Sequence, residues 1–103
     1  MNALQMNFLQ FNSKRQNMTY KTEFPDFDYE ITIPEGWVDD SWHNDVCPKI
    51  YNDKNLVIWC DYQDPEKREI GGRQFTVSSY IEDSYEHIEQ FDTFAEALAF
   101  CQK

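Results

Sequence analysis

His43, Asp45 and Cys47 alternate along one short stretch of this chain. Extended backbone sends every second side chain to the same face, so in that conformation the three would present an imidazole, a carboxylate and a thiol together. All three are zinc ligands, and a thiol beside an imidazole is a nucleophile with its base. A single strand does not close a metal site; His87 and Cys60 are the candidates for further ligands from elsewhere. The spacing lacks the paired ligands of a zinc signature. The competing expectation is structural: His43 and Asn44 organise a loop by hydrogen bonding while Trp42 and Cys47 pack. The sequence therefore leads to an expectation of no cofactor and no metal, with His43, Asp45 and Cys47 the residues to inspect.

Other constellations are weaker. Asp39-Asp40 and Asp61 are candidates for acid and base work, which needs an apolar pocket to shift one carboxyl. Asp53 to Asp64 does not place the glycine and glutamate of a calcium loop. Gly71-Gly72-Arg73 superficially suggests a phosphate loop, but neither phosphate-binding motif is present, and a turn between strands is the simpler expectation.

Charge is more informative than any motif. From residue 22 to 48 there are eight acids, Glu23, Asp26, Asp28, Glu30, Glu35, Asp39, Asp40 and Asp45, and no lysine or arginine. Phe24, Phe27, Tyr29, Trp37 and Trp42 are threaded among them. A second base-free stretch, 74–102, holds Glu82, Asp83, Glu86, Glu89, Asp92 and Glu96. The net charge of −10 thus sits in two blocks. Dense carboxylates repel nucleic acid, attract basic proteins and speed their encounter. Lys14-Arg15 and Lys67-Arg68 are the only basic clusters, and neither is interleaved with aromatics as a single-strand platform is. Direct nucleic-acid binding is accordingly excluded. A basic protein, such as a nuclease or another nucleic-acid-binding protein, is the expected partner. Its expected contacts are Asp26, Asp28, Glu30, Glu35, Asp39 and Asp40, with Trp37 and Trp42 as anchors. The opposing expectation is a solvated acidic skin with both tryptophans in the core.

At 103 residues and 17% aromatic, the chain can bury one modest core. Residues 1–17 are expected as an N-terminal extension, with Leu4, Phe8 and Phe11 on one face of a short helix; 18–103 form the domain. Residues 28–33 alternate and predict a half-buried strand with Tyr29, Ile31 and Ile33 inward. Pro34-Glu35-Gly36 turns the chain. Residues 37–48 are expected as a loop or irregular edge strand. Residues 49–51 and 56–60 flank the turn cluster 52–55 and predict a hairpin. The apolar run 56–60, with Trp59 in the core, predicts a central strand covered on both faces. After the charged loop 64–72, residues 73–81 predict a strand with Phe75, Val77 and Ile81 on one face, and 85–91 a shorter one. Thr93 and Glu96 form a capping box for a helix to about Gln102, with Phe94, Leu98 and Cys101 apolar. The fold class is α+β: an antiparallel meander of about four to five strands with one C-terminal helix packed on it.

The cysteines Cys47, Cys60 and Cys101 are odd in number and without a CxxC, which points to a reducing, cytoplasmic setting, in a bacterial host cell. No apolar run approaches a membrane span, so no membrane partner is expected.

The segments 41–48 (SWHNDVCP), 57–69 (VIWCDYQDPEKRE), 74–77 (QFTV) and 94–98 (FAEAL) together resemble short uncharacterised bacterial and phage proteins. The resemblance covers about residues 28–101. It implies a stand-alone accessory protein of a mobile element and assigns no activity to any residue. The leading expectation is a non-enzymatic inhibitor that mimics nucleic-acid charge, in the logic of DNA-mimic and anti-CRISPR proteins or of immunity proteins. A self-associating module, or homodimer, comes second; a metal- or cysteine-dependent enzyme comes third.

Overall fold

A computed structural model describes residues 19–102; the expected helix around Leu4, Phe8 and Phe11 lies outside them. The elements are α1 (Tyr20–Glu23), β1 (Trp37–Asp39), β2 (Lys49–Asn52), β3 (Leu56–Cys60), a 3-10 turn (Pro65–Lys67), β4 (Phe75–Ile81), β5 (Ser84–Phe91) and α2 (Phe94–Cys101). The five strands lie side by side in chain order and every neighbouring pair is antiparallel. The α+β meander with one C-terminal helix is the observed architecture.

β3 is central because its side chains are apolar on both faces. Ile58 and Cys60 face the main core with Ile50, Phe75, Val77, Ala97 and Cys101. Val57 and Trp59 face the other way, onto Cys47, Tyr51 and Ile70. The core side is closed by α2 and by the chain from Tyr20 to Ile33, through ring contacts of Phe75 with Tyr29 and Phe94 and of Phe91 with Phe100. The capping box forms: Glu96 N donates to Thr93 Oγ1 at 3.2 Å and Thr93 N to Glu96 Oε1 at 3.2 Å. The hairpin at 49–60 is also present, and so is the turn at Gly71-Gly72, where both φ angles are positive. At Gly72 the φ of +78° favours glycine, and an added Cβ would fall 2.5 Å from Gln90 Oε1 and push that side chain aside. Between Trp37 and Pro48 the irregular edge strand reduces to β1, and a loop follows.

Two sequence expectations are corrected. Residues 28–33 belong to no sheet, and the chain bends at Tyr29. Their backbone is satisfied by side chains instead: Ile31 N donates to Tyr20 Oη at 3.0 Å, and Tyr20 Oη donates to Ile31 O at 3.3 Å. Burial still alternates, with Ile31 inside and Asp28, Glu30 and Thr32 outside. Ile81 does not join Phe75 and Val77 in the core. It is 60% exposed, since the covering elements stop before the end of β4. β5 is longer than expected, eight residues, and carries a register shift opposite Val77 and Ser78. Glu82 and Asp83, both at positive φ, make a two-residue turn.

Among the described residues, no helix is long and apolar enough to cross a membrane.

Candidate functional site

The alternating trio separates. Residues 43–47 are a turn rather than a strand, with Asp45 N donating to Trp42 O at 2.8 Å. His43 is exposed, and its Nδ1 lies 2.7 Å from Glu23 Oε1. That bond, with a second from His43 N at 3.0 Å, holds the Glu23 carboxyl below its usual range. Asp45 pairs with Lys49. Cys47 is fully buried, and burial together with the neighbouring Asp61 pushes its thiol up. A buried thiol held neutral is a small hydrophobe, not a nucleophile. Among the described residues no group of His, Cys, Asp and Glu is placed to hold a metal ion.

Asp61 is also structural. Fully buried, it accepts from Tyr62 N, Glu69 N and Ile70 N at 2.9 Å and from Gly71 N at 3.4 Å. It therefore ties the 61–72 loop to the end of β3. Arg68 completes that loop by donating to Tyr62 O, Gln63 O and Gly72 O.

The candidate contact residues divide. Asp26 accepts from Tyr62 Oη at 3.2 Å; burial, together with that bond, pushes the Tyr62 phenol up to about 12. Asp28 accepts from Gln63 N at 2.7 Å and Asp64 N at 2.9 Å. Desolvation alone would raise its carboxyl, but these bonds and Lys67 outweigh that and hold it low. Asp39 accepts from Tyr20 N and Ser41 N, so it caps α1. Glu30 and Glu35 are exposed and make no hydrogen bond or ion pair among the described residues. Trp37 is half-buried against the main core. Trp42 is 42% exposed, and its ring lies tilted against that of His43 with centroids 4.2 Å apart.

Asp40 belongs to a different group. Lys49 is buried, and its Nζ donates to Asp40 O at 3.0 Å, pairs with Asp45 and lies 3.6 Å from Asp40 Oδ2. It also stands 5.4 Å from the centre of the Trp59 ring. Burial alone would lower its pKa; the hydrogen bond and charge of Asp45 and the charge of Asp40 more than offset that and the net shift is up. An ammonium is thus held over an aromatic ring by carboxylates.

Cross-strand partners share a face, so the registers place Lys49, Tyr51, Val57, Trp59, Ser78, Tyr80, Tyr85 and His87 on the sheet face away from α2. This face is open at the end where the 52–55 and 82–83 turns lie side by side, joined by Tyr80 N donating to Asn55 O at 2.9 Å. There, a cleft of about 470 Å³ is lined by Asp40, Lys49, Tyr51, Asp53, Tyr80 and Tyr85, among others. The Tyr80 and Tyr85 rings lie 4.7 Å apart, and Tyr85 meets Trp59 edge-on at 5.1 Å. Sequence reasoning missed these tyrosines. Their signal is in the chain: residues two before and two after a two-residue turn face each other.

Sequence reasoning also missed Ser78 and His87, whose Oγ and Nδ1 are 2.6 Å apart. The spacing is that of a nucleophile and base, but Ser78 has no exposed surface for a substrate to reach. The pair bonds β4 to β5.

No family model matches the chain, and no curated protein or solved structure matches it.

Proposed function

We propose that this chain is a non-enzymatic acidic module that binds a basic, nucleic-acid-binding protein and occupies the lysines and arginines that would otherwise hold phosphates. The observation that carries this reading is the open sheet face, where exposed tyrosines sit beside carboxylates. Tyrosine supplies rigid contact area, and carboxylates supply steering and pairing with basic side chains. Glu30, Glu35, Asp53, Glu82 and Glu86 add exposed charge that the fold itself does not use among the described residues. Asp26, Asp28 and Asp39 remain part of the negative field while serving the scaffold.

The test is a competition. Labelled duplex DNA is bound to a basic protein captured by the chain from host lysate, and the chain is titrated in. DNA should be displaced at about 50 mM salt and much less at about 200 mM, because charge neutralisation dominates such contacts. The double variant Glu82→Lys, Glu86→Lys should slow association roughly tenfold, the lower range of electrostatic steering. A captured partner that keeps its DNA at saturating chain would refute inhibition by charge mimicry.

A further inference from the structure

The cleft at the hairpin end is specific enough to name what it takes. Resting on the reading above, we infer that it is an arginine pocket: the guanidinium of one arginine on the basic partner lies against Tyr80 and Tyr85 and pairs with Asp53. Three features carry this. Tyr80 is 37% and Tyr85 42% exposed even though their rings are in contact, so part of each ring's surface is offered to a visitor. Asp53, at the exposed tip of the 52–55 turn, lines the same cleft. The two carboxylates that line the cleft, Asp40 and Asp53, outnumber the Lys49 ammonium by one, and that ammonium is also paired with Asp45 outside the lining, so the cleft attracts a cation although one already sits in its wall.

That resident cation is an internal precedent. Lys49 over Trp59, neutralised by Asp40 and Asp45, shows the same combination of aromatic ring and carboxylate satisfying a positive charge. The visitor is arginine rather than lysine for a geometric reason. A planar guanidinium stacks on a phenol ring and still presents parallel N–H donors to a carboxylate; an ammonium is a strongly hydrated point charge. An apolar visitor is disfavoured by the carboxylate rim. The cleft volume of about 470 Å³ accommodates the whole arginine side chain.

The full chain is titrated with octa-arginine and with octa-lysine peptide in low-salt buffer, and tryptophan fluorescence is followed, since Trp59 touches both Tyr85 and Lys49. Octa-arginine should bind roughly fivefold or more tighter, the scale of a partly desolvated cation–π contact. Tyr80→Leu and Asp53→Asn should each abolish that preference, whereas Glu66→Gln, on the exposed 3-10 turn, should leave it intact. Because Tyr80 packs on Tyr85, melting curves accompany its variant; Asp53 is exposed and serves as the variant that does not threaten the fold. Equal binding of both peptides, unchanged in the two variants, overturns the arginine pocket and leaves the charge reading standing. Binding of neither peptide overturns both. A concentration-dependent dimer in which Tyr80 and Tyr85 are covered also overturns the pocket and gives the face to a second copy.

Discussion

Carboxylates at the two ends of the sheet do opposite work. At the end holding the 61–72 loop, Asp26, Asp28 and Asp61 each accept hydrogen bonds that anchor loop backbone or a buried phenol. At the hairpin end, Glu82 and Glu86 are exposed and without partners among the described residues, and Asp83 accepts only from its near neighbour Tyr80. Both places carry several carboxylates, so the presence of acidic residues does not by itself distinguish a scaffold from a contact surface. What distinguishes them is whether the carboxylate lone pairs are already filled. A filled carboxylate is costly to remove from the fold, and an unfilled one is available to a partner.

Substitutions can break this comparison. The largest effect is expected from Asp61→Ala, which strands the amides of Tyr62, Glu69 and Ile70 beside an otherwise buried residue. Unfolding in urea should report a loss of about 3 kcal/mol, the scale of orphaned buried donors after the loop relaxes toward water. Were Asp61→Ala as mild as a hairpin substitution, the distinction between the ends would fail.

Asp28→Asn sharpens the comparison at an exposed site. Asparagine keeps one acceptor of two, and the cost should be about 1 kcal/mol at neutral pH, reduced by solvent screening. The effect depends on pH. The folded Asp28 carboxyl is held below its ordinary value of 3.8, so its stabilisation is present above that pH and is lost as pH falls through the lower, folded value. The wild type should therefore lose stability below about pH 4 more steeply than Asp28→Asn, and the two curves should converge in acid. Parallel curves in a series of melts would remove Asp28 from the scaffold set.

The smallest effect is expected at the hairpin end. Glu82→Gln with Glu86→Gln should change stability by no more than about 0.5 kcal/mol, as for other exposed substitutions without partners. A larger loss on thermal melting would place these residues in the scaffold after all.

How much of this was legible follows from the range of each interaction. Elements specified by near neighbours were readable: the capping box at Thr93 and Glu96, the 52–55 hairpin, and the doubly apolar β3. Residues 28–33 show the limit. Their alternation is real, but an alternating segment pairs as a strand only if a sheet edge is free to take it. Here the Tyr20 hydroxyl and the Gln63 and Asp64 amides take that backbone and its Asp28 side chain first. The trio His43, Asp45 and Cys47 failed for the same reason. Each found a nearer partner, Glu23, Lys49 and the buried cluster around Trp59, and the turn dispersed them.

The sequence alone determined the charge, the order of the strands, the closing helix and the types of side chain each face would carry, because these depend on composition and on periodicities of two to four residues. Only the tertiary structure decided which carboxylates are used up and which are offered. Glu23 reaches His43 across 20 positions, Asp28 reaches Gln63 across 35, and Asp26 reaches Tyr62 across 36. No local pattern encodes a pairing over such distances; it is settled when the sheet forms and brings those backbones together.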